Sequence, residues 1–555
     1  MKRTIFGCMA LQAVILAVAS LLFILPISQA QDVSSGYARS IPQPEKRGAA
    51  ESVAAKERTL EEMAAADAEL ARLGQLPVPG LRRTKPLLTP IGPAAYRSLK
   101  EQLAAAPAAA KPEMMEPLGT TPSIKQNFEG VNQVEAGNWQ PPDTHAAPGP
   151  SHVVEVTNLH VDIYSRSGTP RTRNQFTLGS FFGYAYPNDM TDPRVLYDPV
   201  WKRFVVVAIN IPPVADPKTL IFIAVSKGSN PTGAWWTYHV NMGPVAGNPN
   251  GNWIWDYPMV GMDQDGIIIT GNLFQWTPGV GGGSFISTDC IALAKARLYN
   301  GGAFKTVWWT GLHWSPQPPV VLPPADPALM KNATHLVSAD PYADKSKLFI
   351  HTLKDSAYPA TQTLTSNAIT VEAYDFPPDA PQPGTTAKLD TLDARFLSNS
   401  TQIFDHTDGG SDRIFQVHTV NSGGWAMPKF YHLKIPTLSV MESRSFWASG
   451  SSHDFNASIA ANNSKDMFVT WSATDPGAGK QAQIRVSGKL AGELDISAGN
   501  SLIQSPTYYT GGRWGDYSSV HIDHNSVTTK RAWICNQYIR SDGTWGTRIG
   551  RIDFP

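Results

Sequence analysis

From Asn127 onward, apolar and polar residues alternate in short runs, the period-2 pattern of half-buried strands. Val154 and Val156 show it, then Val161 and Ile163, with polar partners between them. One phrase recurs along this stretch. It is an acidic or His residue, an apolar strand, a polar Asp/Asn/Gly turn, and a second apolar strand. The copies run Asp143–Tyr164, Asp192–Asn210, Asp256–Phe274, His335–Leu353, Asp393–Val420, Asp454–Ala473 and Asp516–Tyr538. Seven copies between Asn127 and Pro555 give about 61 residues each, and a four-stranded unit with generous loops needs roughly 40 to 60. Tandem β-sandwiches would repeat at a longer period. The pattern predicts an all-β chain, a seven-bladed β-propeller spanning residues 123–555.

The N-terminal fifth reads differently. Lys2 and Arg3 precede an apolar run from Ile5 to Leu25, and Ser28 and Ala30 fit a signal-peptidase site with Gln31 as the new terminus. Residues 1–30 are therefore expected to be a signal peptide, with an uncleaved membrane anchor as the other reading. Both export the remainder, as a secreted, periplasmic or cell-surface protein with no membrane span after cleavage. Glu45–Gln75 is Ala-rich and charged, with Val53, Leu60, Met63 and Leu70 at heptad-like spacing. It predicts one exposed helix or a weak coiled coil. A Pro-punctuated linker, Leu76–Pro122, follows, with a short helix around Ala94–Ala106. Residues 31–122 thus read as a tether or pro-segment.

Composition sharpens the picture. The 46 basic and 46 acidic side chains cancel, and only 17% of residues are charged, against roughly a quarter in ordinary globular chains. No Lys/Arg cluster exists to neutralise phosphates, so nucleic acid is excluded as a partner. A hydrophobic fraction of 42% excludes wholesale disorder. Gly and Pro, 45 of each, supply tight turns. Cys290 and Cys535 remain after the signal peptide, either as one long-range disulfide or as two buried thiols.

Several phrases resemble those of a family of large secreted bacterial propeller proteins. Pro141-Pro142-Asp143-Thr144 with Gly149-Pro150-Ser151-His152-Val153, Asp192-Pro193-Arg194-Val195-Leu196-Tyr197-Asp198 and Ile223-Ala224-Val225-Ser226 match in order. So do Gln382-Pro383-Gly384-Thr385-Thr386 with Lys388-Leu389-Asp390, Arg513-Trp514-Gly515-Asp516-Tyr517-Ser518, and Trp545-Gly546-Thr547-Arg548-Ile549-Gly550. The resemblance implies a propeller fold, loosely sialidase-like, and no established activity. Phe222 stands where the family carries Cys, which implies a free Cys290.

In a propeller the residues preceding each inner strand share one rim. That register places Asp143, Asp192, Asp256, Asp390 or Asp393, Asp454 and Asp516 near a common mouth, with His145, His335, His453, Arg194, Arg395 and Arg513 in the same band. Asp143, Asp516, Asp256 and His145 are the candidate acid/base residues of a glycoside hydrolase or polysaccharide lyase. Arg194, Arg395 and Arg513 would grip a sugar carboxylate, and Tyr517 and Trp255 would stack on the ring. The bland alternative is that each Asp caps a turn or staples neighbouring units. Trp235, Trp236, Trp253, Trp276, Trp308, Trp309 and Trp314 crowd the same region, for sugar stacking or for inter-unit packing. Asp263-Gln264-Asp265-Gly266 reads as a β-turn; no metal site is expected beyond a structural Ca2+, and no other cofactor. The expected partner is an extracellular glycan, bound or cleaved by a monomer. The alternative is a non-catalytic scaffold or adhesin for a cell-surface protein.

Overall fold

The structure is a computed structural model that describes Ile41–Pro555, apart from residues 42, 52–53, 77–82, 112–118, 169–173, 244–251, 325–331, 436 and 524–528. The expected signal peptide lies outside the described residues. Among those residues no helix is long and apolar enough to cross a membrane.

The chain is mostly β, and every recurring phrase forms an antiparallel hairpin. Unit 1 carries His145–Pro148, His152–Thr157, His160–Ser165 and Asn174–Thr177. Unit 2 carries Met190–Asp198, Arg203–Asn210, Leu220–Ser226 and Trp235–Asn241. Unit 3 opens with Trp253–Met262 and Gly266–Thr277, unit 4 with Ala333–Ala339 and Lys347–Lys354, unit 5 with Thr401–Asp405 and Ser411–Ser422. Unit 6 opens with His453–Ala461 and Met467–Asp475, unit 7 with Ser519–Ile522 and Arg531–Ile539.

Two departures from seven equal four-stranded sheets follow from the connections. Among the described residues, unit 4 has three strands. Units 3 and 5 are joined into one ten-stranded sheet because Val320–Val321 pairs in parallel with Met262 on one side and Thr401 on the other. Apolar faces of consecutive units pack on one another throughout. Val156 and Val161 of unit 1 meet Val195 and Phe222 of unit 2, and Ile268 of unit 3 meets Leu336 and Leu353 of unit 4. Val153 and Tyr164 of unit 1 also meet Trp533 and Ile549 of unit 7.

The N-terminal segment is not an exposed helix on a tether over its described residues. Strand β1 (Glu45–Glu51) pairs with Lys305–Thr310 and β2 (Lys56–Arg58) with Trp235–Asn241, each covering an outer edge that would otherwise present bare N–H and C=O groups. Helix α1 (Leu60–Arg72) begins at Thr59, whose side chain and that of Glu62 form a reciprocal cap. It buries Leu60 and Met63 against units 1 and 2. The short strand β3 (Arg83–Thr84) pairs with Trp139–Gln140. Helix α2 (Gly92–Ala105) carries Pro93 in its first turn, close to the expected span. Strand β4 (Ser123–Asn132) then completes unit 7 beside Trp545–Asp553.

Candidate functional site

The first strands of several units share a local device. The ladders slip between Thr191 and Arg194, between Asp256 and Met259, and between Phe455 and Ser458. Each slip carries a left-handed residue: Asp192 at φ 53°, Tyr257 at 58° and Asn456 at 49°. Asp143 and Leu392 adopt the same conformation at the corresponding points. Asp and Asn enter that region readily; Tyr and Leu are held there by what surrounds them. These bulges interrupt the alternation and turn the phrase acids sideways, toward neighbouring units.

The acids consequently staple units together. Asp143 accepts the Asp516 N–H at 2.8 Å and the Asn158 amide at 2.8 Å, tying unit 7 to unit 1. Asn158 in turn accepts the Asp192 N–H at 2.8 Å, tying unit 1 to unit 2. Asp192 accepts the Tyr257 N–H at 3.1 Å and the Tyr517 hydroxyl at 3.2 Å, reaching units 3 and 7.

A cation from the N-terminal segment enters this centre. The Lys85 ammonium is ion-paired with Asp192 and lies 3.1 Å from Asp256 Oδ1. Its backbone is fixed by Lys85 N–H donating to Gln140 O at 2.8 Å and by Arg513 donating to Lys85 O at 3.3 Å. Arg513 also clasps both Asp516 oxygens at 2.5 and 2.8 Å and lies 3.5 Å from Asp390. From α2, the Tyr96 hydroxyl donates to Asp390 at 3.3 Å, and Lys100 lies 2.9 Å from Asp379. Leu87 and Leu88 between them pack on apolar side chains of units 2, 3 and 7.

Arg395 grips Asp393 through two bonds of 2.7 and 2.8 Å, its guanidinium 4.6 Å from the Tyr257 and Trp314 rings. Arg194 stacks on Tyr517 at 3.4 Å and donates to Pro258 O and Leu397 O. The His145 ring meets that of His521 at 5.1 Å.

The expected set is thus largely brought together, though not at an open mouth. Asp143, Asp192, Asp256, Asp390, Asp393, Asp516, Arg194, Arg395, Arg513, His145, Tyr517 and Trp255 are all between 0 and 9% exposed. Asp454 sits apart, bonded to Trp471 and Ser452 and 3.3 Å from Lys111. His335 is also elsewhere, beside Asp412, and His453 packs on Trp425. The tryptophans expected in sugar-stacking loops serve mainly as packing: Trp235, Trp255, Trp308 and Trp314 are wholly buried. The residues that sequence reasoning missed are Lys85, Tyr96, Lys100 and Asn158. An excess of repeat acids over repeat arginines was the one available sign that a cation had to arrive from outside the repeats.

Burial governs the electrostatics. It raises Asp143 to about 8, with Asp516 adding to the shift, and Asp256 to about 6 against the pull of Lys85. Burial and Asp379 raise Asp390. Burial would raise Asp393 too, but Arg395 holds it below the usual carboxylate range. Burial, together with Arg194 and His521, drives His145 well down, so its imidazole is neutral. Chemically this is a closed polar hub in which each acid is matched by a backbone N–H, a hydroxyl or a cation.

No protein-family model and no curated protein matches the chain. Among solved structures it is similar to Trypanosoma rangeli sialidase in complex with sialic acid, at 10% identity and a TM-score of 0.32, covering 73% of this chain and 59% of that one. It is also similar to Penicillium chrysogenum α-L-arabinanase complexed with arabinobiose (14%, TM-score 0.30, 65% of this chain and 92% of that one). A protein of unknown function from Dyadobacter fermentans matches at 8% and 0.31, over 66% and 95%. The chain spans under two thirds of the sialidase. At these identities and scores the likeness transfers no residue and no activity to this chain.

Proposed function

We propose that the protein is an exported, monomeric seven-bladed β-propeller that recognises extracellular glycan and, with its N-terminal segment in place, does not cleave it. Side-by-side packing of consecutive units, with unit 7 against unit 1, supports the propeller. The exposed aromatic rings of Trp201 and Tyr358, suited to stacking on sugars, support the glycan.

One observation carries the non-catalytic half. Lys85 occupies the space between Asp192 and Asp256, and Tyr96 and Lys100 engage the acids next to them, so these hub acids are buried and face the chain's own cations and hydroxyls where a sugar would have to enter. Glycoside hydrolysis needs two carboxyl groups flanking the scissile bond, roughly 5 to 10 Å apart with room for substrate. Here that room is filled by the chain itself.

The test is a glycan array with the full chain, followed by digestion assays on the polysaccharides it binds, monitoring both reducing ends and unsaturated lyase products. Binding without turnover is expected, in the parent and in Asp143→Ala and Asp516→Ala. Turnover by the parent that those variants lose would make it an enzyme and overturn the proposal. No binding at all would leave the cell-surface protein scaffold as the reading.

A further inference from the structure

The phrase acids lie at the start of their inner strands, and the hairpin turns lie at the far ends. In unit 2, Asp192 and the turn after Asp198 are six residues apart, about 20 Å of strand. On that turn-bearing side a groove of about 720 Å³ opens between units 2, 3 and 4. Trp201, Asp265, Arg297, Phe304, Lys305 and Tyr358 line it.

Two features separate this groove from ordinary surface. Only three aromatic side chains stand among the exposed large hydrophobics of the described residues, and two of them are here: Trp201, 39% exposed, and Tyr358, 56% exposed. Trp201 is also held in place. Its indole N–H donates to Gln264 O at 3.1 Å, and its ring meets Tyr299 edge-on at 5.9 Å. Its backbone N–H, with that of Val200, is bonded to the buried Asp198, which also takes the Tyr299 hydroxyl at 2.9 Å and lies 2.6 Å from Lys295. The Asp263–Gly266 turn that presents Gln264 O is itself fixed by Asp263 accepting the N–H groups of Asp265 and Gly266 at 3.0 and 2.7 Å. An exposed indole anchored at one edge presents its face with little ordering cost on binding.

The charges then select the ligand. Arg297 is exposed and makes no ion pair among the described residues; Lys305 is exposed beside it, and the only lining carboxylate is Asp265. A free planar guanidinium near stacking rings matches a sugar that carries a carboxylate. We infer that this groove binds an acidic oligosaccharide, its rings on Trp201 and Tyr358 and a carboxylate on Arg297. The inference rests on the glycan reading above but not on the axial hub.

The test is titration calorimetry of the full chain with a galacturonate tetramer, sialyllactose and an uncharged galactose tetramer. Trp201→Ala, Tyr358→Ala and Arg297→Gln are compared with the parent, and circular dichroism confirms the fold. A carboxylate-bearing probe should bind, with uronate and sialic acid separated by their two arms. Trp201→Ala should weaken it at least tenfold, and Arg297→Gln should reduce the preference over the uncharged tetramer by a similar factor. Preference for the uncharged tetramer, or parental affinity in both variants, overturns the groove while leaving glycan recognition standing. A parent that binds no probe here and no glycan on the array overturns both.

Discussion

Lys85 shows what one residue does in a closed acid hub. Replacing it with Met leaves Asp192 and Asp256 buried with no ammonium between them, a loss worth about 3–5 kcal/mol for a broken buried pair. Denaturant midpoints should show that loss at pH 8 and a smaller one at pH 5, because Asp256, at about 6 in the parent, takes up a proton more readily once the cation is gone. Asp143 gives a complementary signature. The folded chain keeps its proton to about pH 8, whereas an unfolded carboxyl releases it near ~4. Between those values the folded state binds more protons, so this group's contribution to stability is full below about 4 and is lost as pH rises through about 8. Asp143→Asn does not titrate, so its stability relative to the parent should improve steadily from pH 5 to pH 8, whatever its offset. At this scale the place in the repeat pointed to most of the acids and arginines that meet, but not to Asp454, which holds the same place and sits apart. It did not show Lys85. A lysine before a proline in a low-complexity stretch has no local signature, and its ion-pair partners are 107 or more residues away.

Among the elements, the hairpins were legible because period-2 alternation and Asp/Gly turns act within a few residues. β1 (Glu45–Glu51) and β2 (Lys56–Arg58) were not. Both are edge strands with no apolar face of their own, and the Ala-rich sequence around them favours helix until a sheet edge supplies partners. β4 is held by its neighbours at its C-terminal end. Val131 N–H donates to Glu155 at 3.1 Å, and Thr547 and Tyr164 donate hydroxyls to the same carboxylate at 2.5 and 2.8 Å. Gly130 lies in this crowd: an added Cβ would come within 2.2 Å of Thr547 Oγ1 and 2.5 Å of Glu155 Oε2. Gly130→Ala should destabilise by about 1–3 kcal/mol. Amide exchange should accelerate first in β4 and in Trp545–Asp553.

For the molecule as a whole, the formal neutrality conceals a segregation of charge. Acids and cations meet in a buried hub beneath the N-terminal segment, while Arg297 at the groove makes no ion pair among the described residues. The mostly β character followed from alternation and repeat spacing; the buried hub did not, because it depends on where a segment outside the repeats comes to rest. The two described cysteines test the packing globally. Cys290 and Cys535 are free and wholly buried in different clusters, and burial pushes both thiols up. Ellman's reagent should label neither in the native chain and both on unfolding, at a rate set by global opening. Rapid labelling of one thiol would mean that its pair of units separates independently.

Unit 7 also sets a schedule. Asn127 in β4 and its partner Arg548 are 421 residues apart, about 20 to 80 s of synthesis at ordinary elongation rates. Throughout that interval β4 has no strand partner and unit 1 lacks the Trp533 and Ile549 face that covers it. Six hairpins can assemble as they emerge, but the last contacts must wait for the final strand. A nascent chain of this design therefore carries an adhesive strand edge for most of its birth, and the time it spends unfinished is when aggregation and chaperone capture compete for it.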